Sequence, residues 1–178
     1  MRISGGSLRG RQAAVPAGII RPAMDRMRES VFAILGDLTG QSFLDLFSGS
    51  GIIALEAASR GAAPVEAVEQ DPLKRKTLLG NVSLAPTRIQ CKFMPAERYI
   101  KRAKKSFDIV FCDPPFPYRY KQELIQSIVA SPLLHDGSAL LIHRPKEDQI
   151  PKDMPNLKLK RSNQYGRSIV DFFVFSFF

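Results

Sequence analysis

Ser42-Phe43-Leu44-Asp45-Leu46-Phe47-Ser48-Gly49-Ser50-Gly51 is the stretch from which the fold of this chain can be read. Residues 42–46 have the short, apolar character of a buried strand. They run into a glycine-rich turn, and a helix follows through Leu55 to Arg60, stopped by Gly61. Strand, tight turn and helix form the first half of a βαβ unit. Working outward, the alternation repeats. Segments 65–69, 88–93, 107–112 and 138–142 read as strands, with 72–84, 96–104 and 120–130 as the helices between them. At the far end, 156–161 and 169–177 flank Tyr165-Gly166 as two strands about a turn. Upstream, Met24, Met27, Val31, Ile34, Leu35 and Leu38 recur at helical spacing, and residues 1–22 read as a short Arg/Gly β-hairpin closed by Arg21-Pro22. The order predicts an α/β chain with a doubly wound, mostly parallel, seven-stranded sheet. An antiparallel C-terminal hairpin closes it. Residues 1–40 form an appendage of hairpin and helix, and 41–178 the α/β domain. Ligands of such sheets bind beyond the carboxyl ends of the strands, where Asp45 to Gly51, Glu69 to Asp71 and Asp113 to Phe116 all fall.

The first of these loops has the chemistry of a nucleoside site. Its glycines let a ligand approach the backbone, and the helix N-terminus beyond them offers free N–H groups. Glu69 ends the next strand, where a carboxylate can accept two hydrogen bonds from a ribose diol. Gly49-Ser50-Gly51-Ile52-Ile53-Ala54 also fits the dinucleotide pattern G-x-G-x-x-A, so a dinucleotide stays open. Asp45 favours S-adenosylmethionine instead. Its carboxylate can meet the ammonium group of that cofactor, directly or through water, but would repel a pyrophosphate.

Asp113-Pro114-Pro115-Phe116 follows the fourth strand. The prolines fix the turn and free the Pro114 carbonyl from helical use. A carboxylate, a rigid carbonyl and an aromatic face then converge. The exocyclic amine of a nucleobase is a poor nucleophile, because its lone pair is delocalised into the ring. Asp113 and the Pro114 carbonyl can accept its two N–H hydrogens and favour a pyramidal nitrogen, while Phe116 stacks on the base. Such transfer needs no metal and no covalent intermediate.

Charge is unevenly spread. The 178 residues hold 26 Lys and Arg against 17 Asp and Glu, a net charge of +9. Residues 1–28 carry +5, 29–143 carry +1 and 144–178 carry +3. A basic excess of this kind suits a polyanionic partner. The six N-terminal cations, Arg2, Arg9, Arg11, Arg21, Arg26 and Arg28, are all arginine, whose planar fork suits phosphates and base edges. Gly5, Gly6 and Gly10 sit among them as in a hairpin that grips nucleic acid. The net charge disfavours self-association, so a monomer is expected. An apolar fraction of 44% supports a packed core. No apolar run approaches the ~20 residues of a membrane span, and the first residues lack a signal-peptide stretch, so a cytoplasmic protein is expected. Cys91 and Cys112 read as buried thiols in strands, neither a disulfide framework nor a zinc site. His135 and His143 read as surface residues.

With these residues in hand, the chain resembles the S-adenosylmethionine-dependent amino-methyltransferases, which share a D-x-F-x-G-x-G loop and an [N/D]-P-P-[F/Y/W] loop. More narrowly it is similar to the bacterial 16S rRNA guanine-N2 methyltransferase family. That likeness rests on residues 2–11 (RISGGSLRGR), 21–32 (RPAMDRMRESVF), 45–56 with Arg60-Gly61-Ala62, and Asp113-Pro114-Pro115-Phe116. The resemblance implies a Rossmann-like class I methyltransferase fold, with Asp45, Phe47, Gly49 and Gly51 at the methionine end of the cofactor and Glu69 at its ribose. It implies Gln70 and Ala96 near the adenine, Asp113, Pro114 and Phe116 as the base pocket, and the six arginines on 16S rRNA, either within the small ribosomal subunit or an assembly intermediate. Two departures stand out. Pro95-Ala96 replaces the family's usual Asp-Ala pair, whose carboxylate serves the adenine amine, and Phe116 stands where Tyr is commoner. Other readings of the same residues are an adenine-N6 methyltransferase on DNA or RNA, a non-catalytic ribosome-assembly factor with a decayed cofactor site, and an NAD-linked oxidoreductase. The last is opposed by Asp45 and by the lack of an evident proton donor near the fourth strand.

Overall fold

The computed structural model describes residues 1–15 and 22–177. In chain order these form α1 (Pro22–Leu35), β1 (Phe43–Leu46), α2 (Ile52–Ser59), β2 (Val65–Glu69), α3 (Arg75–Val82), β3 (Ile89–Phe93), α4 (Ala96–Lys101), β4 (Phe107–Cys112), α5 (Lys121–Val129), β5 (Leu134–Pro145), β6 (Asp153–Met154), β7 (Leu157–Tyr165) and β8 (Ser168–Phe175). They build one sheet of order β3-β2-β1-β4-β5-β8-β7-β6. Strands β1 to β5 run parallel, and β8 inserts antiparallel between β5 and β7. The sheet among the described residues thus has eight strands rather than seven. The addition is β6, two residues paired only with β7, too short to leave a period in the sequence. The segment expected as one helix over 72–84 opens instead as a 3-10 turn at Pro72–Lys74, capped by the Asp71 side chain on the Leu73 N–H.

Alternation along the strands makes two cores. Phe43, Ala67, Ile109, Phe111, Leu141, Val170 and Phe172 point to the face covered by α1 and α2. Leu44, Leu46, Val68, Val110, Cys112, Leu140, Ile142, Phe173 and Phe175 point to the face covered by α4 and α5. The phenylalanines of β8 therefore pack both faces, as a strand flanked on both edges requires. All eight residues of α2 are buried, because it lies between the sheet, α1, α3 and the N-terminal arm; a helix that is apolar all round must be enclosed. Cys112 is buried in β4 and Cys91 partly covered in β3. Among the described residues no helix is long and apolar enough to cross a membrane.

The N-terminal arm differs from the expected β-hairpin. Arg2 and Gln12 form one isolated antiparallel bridge, and Gly6–Leu8 is a 3-10 turn. The ladder stops because α2 competes for the backbone. Glu56 on α2 accepts from the N–H groups of Ser4 and Gly5, at 3.0–3.1 Å, and from the Ser4 hydroxyl. Ser59 Oγ accepts from the Leu8 N–H at 2.9 Å and donates to the Gly5 carbonyl at 2.6 Å. Ile3 and Ala13 join the core on that face. The arm is thus part of the packed domain, and Gly5 and Gly6 serve its close approach to Ser59 and Arg60 at the end of α2. A Cβ on Gly6 would lie 1.9 Å from the Ser59 carbonyl oxygen.

Candidate active site

Because β1, β2, β4 and β5 run parallel, their carboxyl ends share one edge of the sheet. Order reverses between β1 and β4, the position where open α/β sheets bind ligands. Asp45 points to the α2 side beneath this mouth. One carboxylate oxygen accepts from Ser48 Oγ at 2.6 Å and the Ala54 N–H at 3.2 Å. The other, Oδ1, is buried without a partner. Burial chiefly, with the Asp113 and Glu69 charges adding to it, pushes this carboxyl up to about 8, against the counter-pull of the Ser48 and Ala54 bonds. A buried acceptor oxygen with nothing to accept is a place for a cation or donor.

The turn that follows is built for close approach. Phe47 takes φ 65°, a left-handed conformation unusual for a bulky residue, and Gly49 takes φ 59°. A Cβ on Gly49 would meet nothing within 4 Å, so the loop surface is open there. Gly51 has a different duty, since a Cβ would come to 3.1 Å from Val82 of α3. Glu69, buried at the end of β2, accepts from the N–H groups of Gly49 and Asp71, both at 2.7 Å. The two bonds hold the glycine loop against β2. A carboxylate has about four acceptor sites, so two remain for a diol. These residues fit S-adenosylmethionine: an orphan carboxylate oxygen for the ammonium, an open glycine backbone, and Glu69 for the ribose. Gln70 is exposed just beyond it. Ala96 opens α4 with its side chain in the core, so any part it has in the site falls to its backbone. Pro95, with no side-chain cap to offer, precedes it.

Asp113 follows β4 directly, and its N–H bonds the Leu46 carbonyl at 3.3 Å. The loop it opens is therefore held against the end of β1, the strand that carries Asp45. Phe47 and Tyr118 meet edge to face across the same junction, ring centroids 5.7 Å apart. Lys121, buried at the start of α5, donates to the carbonyls of Phe116 (3.1 Å) and Tyr118 (2.6 Å) and pairs with Asp148 at 2.7 Å. Pro114 is buried and Phe116 partly exposed. The expected pocket members thus lie together.

His143 overturns its sequence reading. It is 2% exposed, not a surface residue, and its Nδ1 lies 2.8 Å from Asp113 Oδ1. Strand β5 runs on to Pro145 because β8 pairs with it from Ala139 to Pro145, and the register sets Ile142 opposite Cys112. His143 therefore comes beside Asp113. The absence of a protonatable group near the fourth strand, used above against an oxidoreductase, no longer holds. His135 pairs with Asp108 at 3.1 Å and is partly exposed.

Arg28 is a second correction. It is 2% exposed, donating to Asp25 and to the Arg2 carbonyl, each at 2.7 Å, with Nε 3.5 Å from Glu56. It braces the fold and cannot reach RNA as it stands. Arg2, Arg9, Arg11 and Arg26 are exposed, and Arg21 lies outside the described residues. Among the described residues no group of three or more His, Cys, Asp or Glu could hold a metal ion.

The family described as Conserved hypothetical protein 95 matches residues 1–174. The chain belongs to this family. Among relatives, Ribosomal RNA small subunit methyltransferase D of Escherichia coli strain K12 is 31% identical over 170 residues, covering 94% of this chain and 86% of that protein. The protein of the same name from Haemophilus influenzae is 30% identical, covering 90% and 88%. The solved structure of yhhF from Escherichia coli superposes with a TM-score of 0.86 at 30% identity, over 99% of this chain and 98% of that one. SMU.776, solved in complex with SAH, shares the fold at a TM-score of 0.72 and 17% identity, over 87% of this chain and 50% of that one. The α/β architecture, parallel sheet and antiparallel C-terminal strands are those of this family's solved relatives.

Proposed function

We propose that the chain is an S-adenosylmethionine-dependent rRNA methyltransferase that modifies the exocyclic N2 amine of a guanine in 16S rRNA, acting as a cytoplasmic monomer. The observation that carries this reading is the bond between the Asp113 N–H and the Leu46 carbonyl, which fixes the start of the base-pocket loop beside the end of β1, where the cofactor loop begins. Relatives of near-full coverage named for methylation of small-subunit ribosomal RNA support the substrate class.

S-adenosylmethionine, when bound, supplies a methyl group made electrophilic by sulfonium. The rest is done by the chain. Asp45 Oδ1 would hold the ammonium of the cofactor and Glu69 its ribose, and the open backbone at Gly49 would lie along it. Asp113 and the Pro114 carbonyl accept the N–H hydrogens of the base amine and withdraw its lone pair from the ring. Phe116 stacks on the base and fixes its plane. As the amine is alkylated it sheds a proton, and the Asp113 carboxylate is placed to accept it.

The test is methyl transfer to small-subunit rRNA from cells lacking the gene, followed by nucleoside mass analysis. The wild type should yield N2-methylguanosine, and Asp113→Ala should lose activity by a factor of about 10² or more while still unfolding cooperatively, at a stability lower by about 1–3 kcal/mol for the His143 N–H left without its partner. N6-methyladenosine as product would assign the same pocket to adenine. Full activity in Asp113→Ala would remove the base-pocket assignment.

A further inference from the structure

His143 is a buried imidazole with one nitrogen bonded and the other bare. Nδ1 lies 2.8 Å from Asp113 Oδ1, whereas Nε2 is buried with no partner. The ring also meets Phe116 edge to face, centroids 5.5 Å apart. It therefore touches two of the three residues of the base pocket, from a strand the sequence motif does not include.

Its protonation state follows from what is unpaired. A neutral imidazole carries one N–H and one acceptor lone pair. Placing the proton on Nε2 would bury a donor with no acceptor and set a lone pair against the Asp113 oxygen. Burying an unsatisfied donor costs about 1–3 kcal/mol. Placing it on Nδ1 satisfies the N–H and the Asp113 oxygen together and leaves only the Nε2 lone pair without a partner. Oδ1 is then occupied, and the amine of a bound base is left with Oδ2.

We propose that His143, as the Nδ1–H tautomer, is a positioning residue that fixes the rotation of the Asp113 carboxylate and reserves its second oxygen for the base amine. The inference rests on the methyl-transfer reading above, but its structural half is tested without substrate. Nitrogen-15 spectra of the unliganded wild type should show His143 with a protonated Nδ1 and an unprotonated Nε2; the opposite tautomer overturns the proposal. Two variants test the functional half. Asparagine puts an amide N–H where Nδ1 stands, whereas leucine fills the space without a donor. His143→Leu should lower kcat by about 10²-fold, the scale of a misplaced reacting group, with KM for RNA and the Kd of S-adenosylmethionine within about threefold of wild type. His143→Asn should recover at least tenfold of that loss. Equal kcat in the two variants, or a loss confined to KM, overturns the proposal. Absence of methyl transfer by the wild type is a separate outcome, which overturns the functional reading and leaves the tautomer to be judged by its spectrum.

Discussion

Burial pushes the Asp45 carboxyl up to about 8, with opposite consequences for the free and the liganded protein. In the free protein its pKa lies above the unfolded value of 3.8, so the folded state holds the proton more tightly. The group then contributes stability below about pH 4 that is lost as pH rises toward 8. Asp45→Asn, neutral throughout, should be more stable than the wild type at pH 8.5 by a few kcal/mol, and the difference should vanish toward pH 4; urea unfolding at the two pH values measures it. An ammonium beside Oδ1 reverses the balance. Binding S-adenosylmethionine at pH 6.5 should release close to one proton in the wild type and none in Asp45→Asn, read by calorimetry in buffers of different ionisation heat. Such residues could be singled out as candidates because their neighbours in sequence carry the signal: Asp45 before glycines, Glu69 at a strand end, Asp113 before two prolines. His143 and Arg28 could not. The place of His143 beside Asp113 depends on the register of β5 with β4, in a stretch also paired with β8. That of Arg28 depends on Glu56, which is 28 residues away. Nothing local distinguishes a buried arginine with a distant carboxylate from one that faces RNA.

At the scale of elements, the N-terminal arm and α2 behave as one unit around Glu56. Its carboxylate is fully buried and gathers Ser4, Gly5, Arg28 and Arg60. Removing it would strand a buried guanidinium, which typically costs 3–5 kcal/mol. Glu56→Ala should therefore lower stability by about 3–5 kcal/mol in urea unfolding, whereas Arg9→Ala, an exposed turn residue, should change it by less than about 0.5 kcal/mol. The order of strands and helices was readable because hydrophobic period is local. The replacement of the expected hairpin by a bridge and a 3-10 turn was not, since the backbone partners of residues 4–8 lie on α2.

Over the whole molecule, the +9 charge is concentrated toward the two ends of the chain. With Arg28 internal, the cations of the described arm that can reach a phosphate are Arg2, Arg9, Arg11 and Arg26. Each phosphate contact contributes a counterion-release slope of about −0.7 to −0.9 in log K against log salt. Binding of small-subunit rRNA should weaken steeply with salt, and Arg9→Ala with Arg11→Ala should flatten that slope by about 1.4–1.8; a filter-binding titration across salt concentrations gives both. An unchanged slope would take these arginines out of the interface.

Strand β8 comes after every other element in chain order, yet it lies inside the sheet, between β5 and β7. Until residues 168–175 dock, the edge of β5 from Ala139 to Pro145, which carries His143, lacks its partner strand on one side. On the roles proposed above, the residues assigned to the donor, Asp45, Gly49 and Glu69, belong to β1, β2 and the loop after β1, whereas those assigned to the acceptor reach from β4 to β5, the strand that β8 pairs with. A change in β8 should therefore bear on the acceptor side of the site before the donor side.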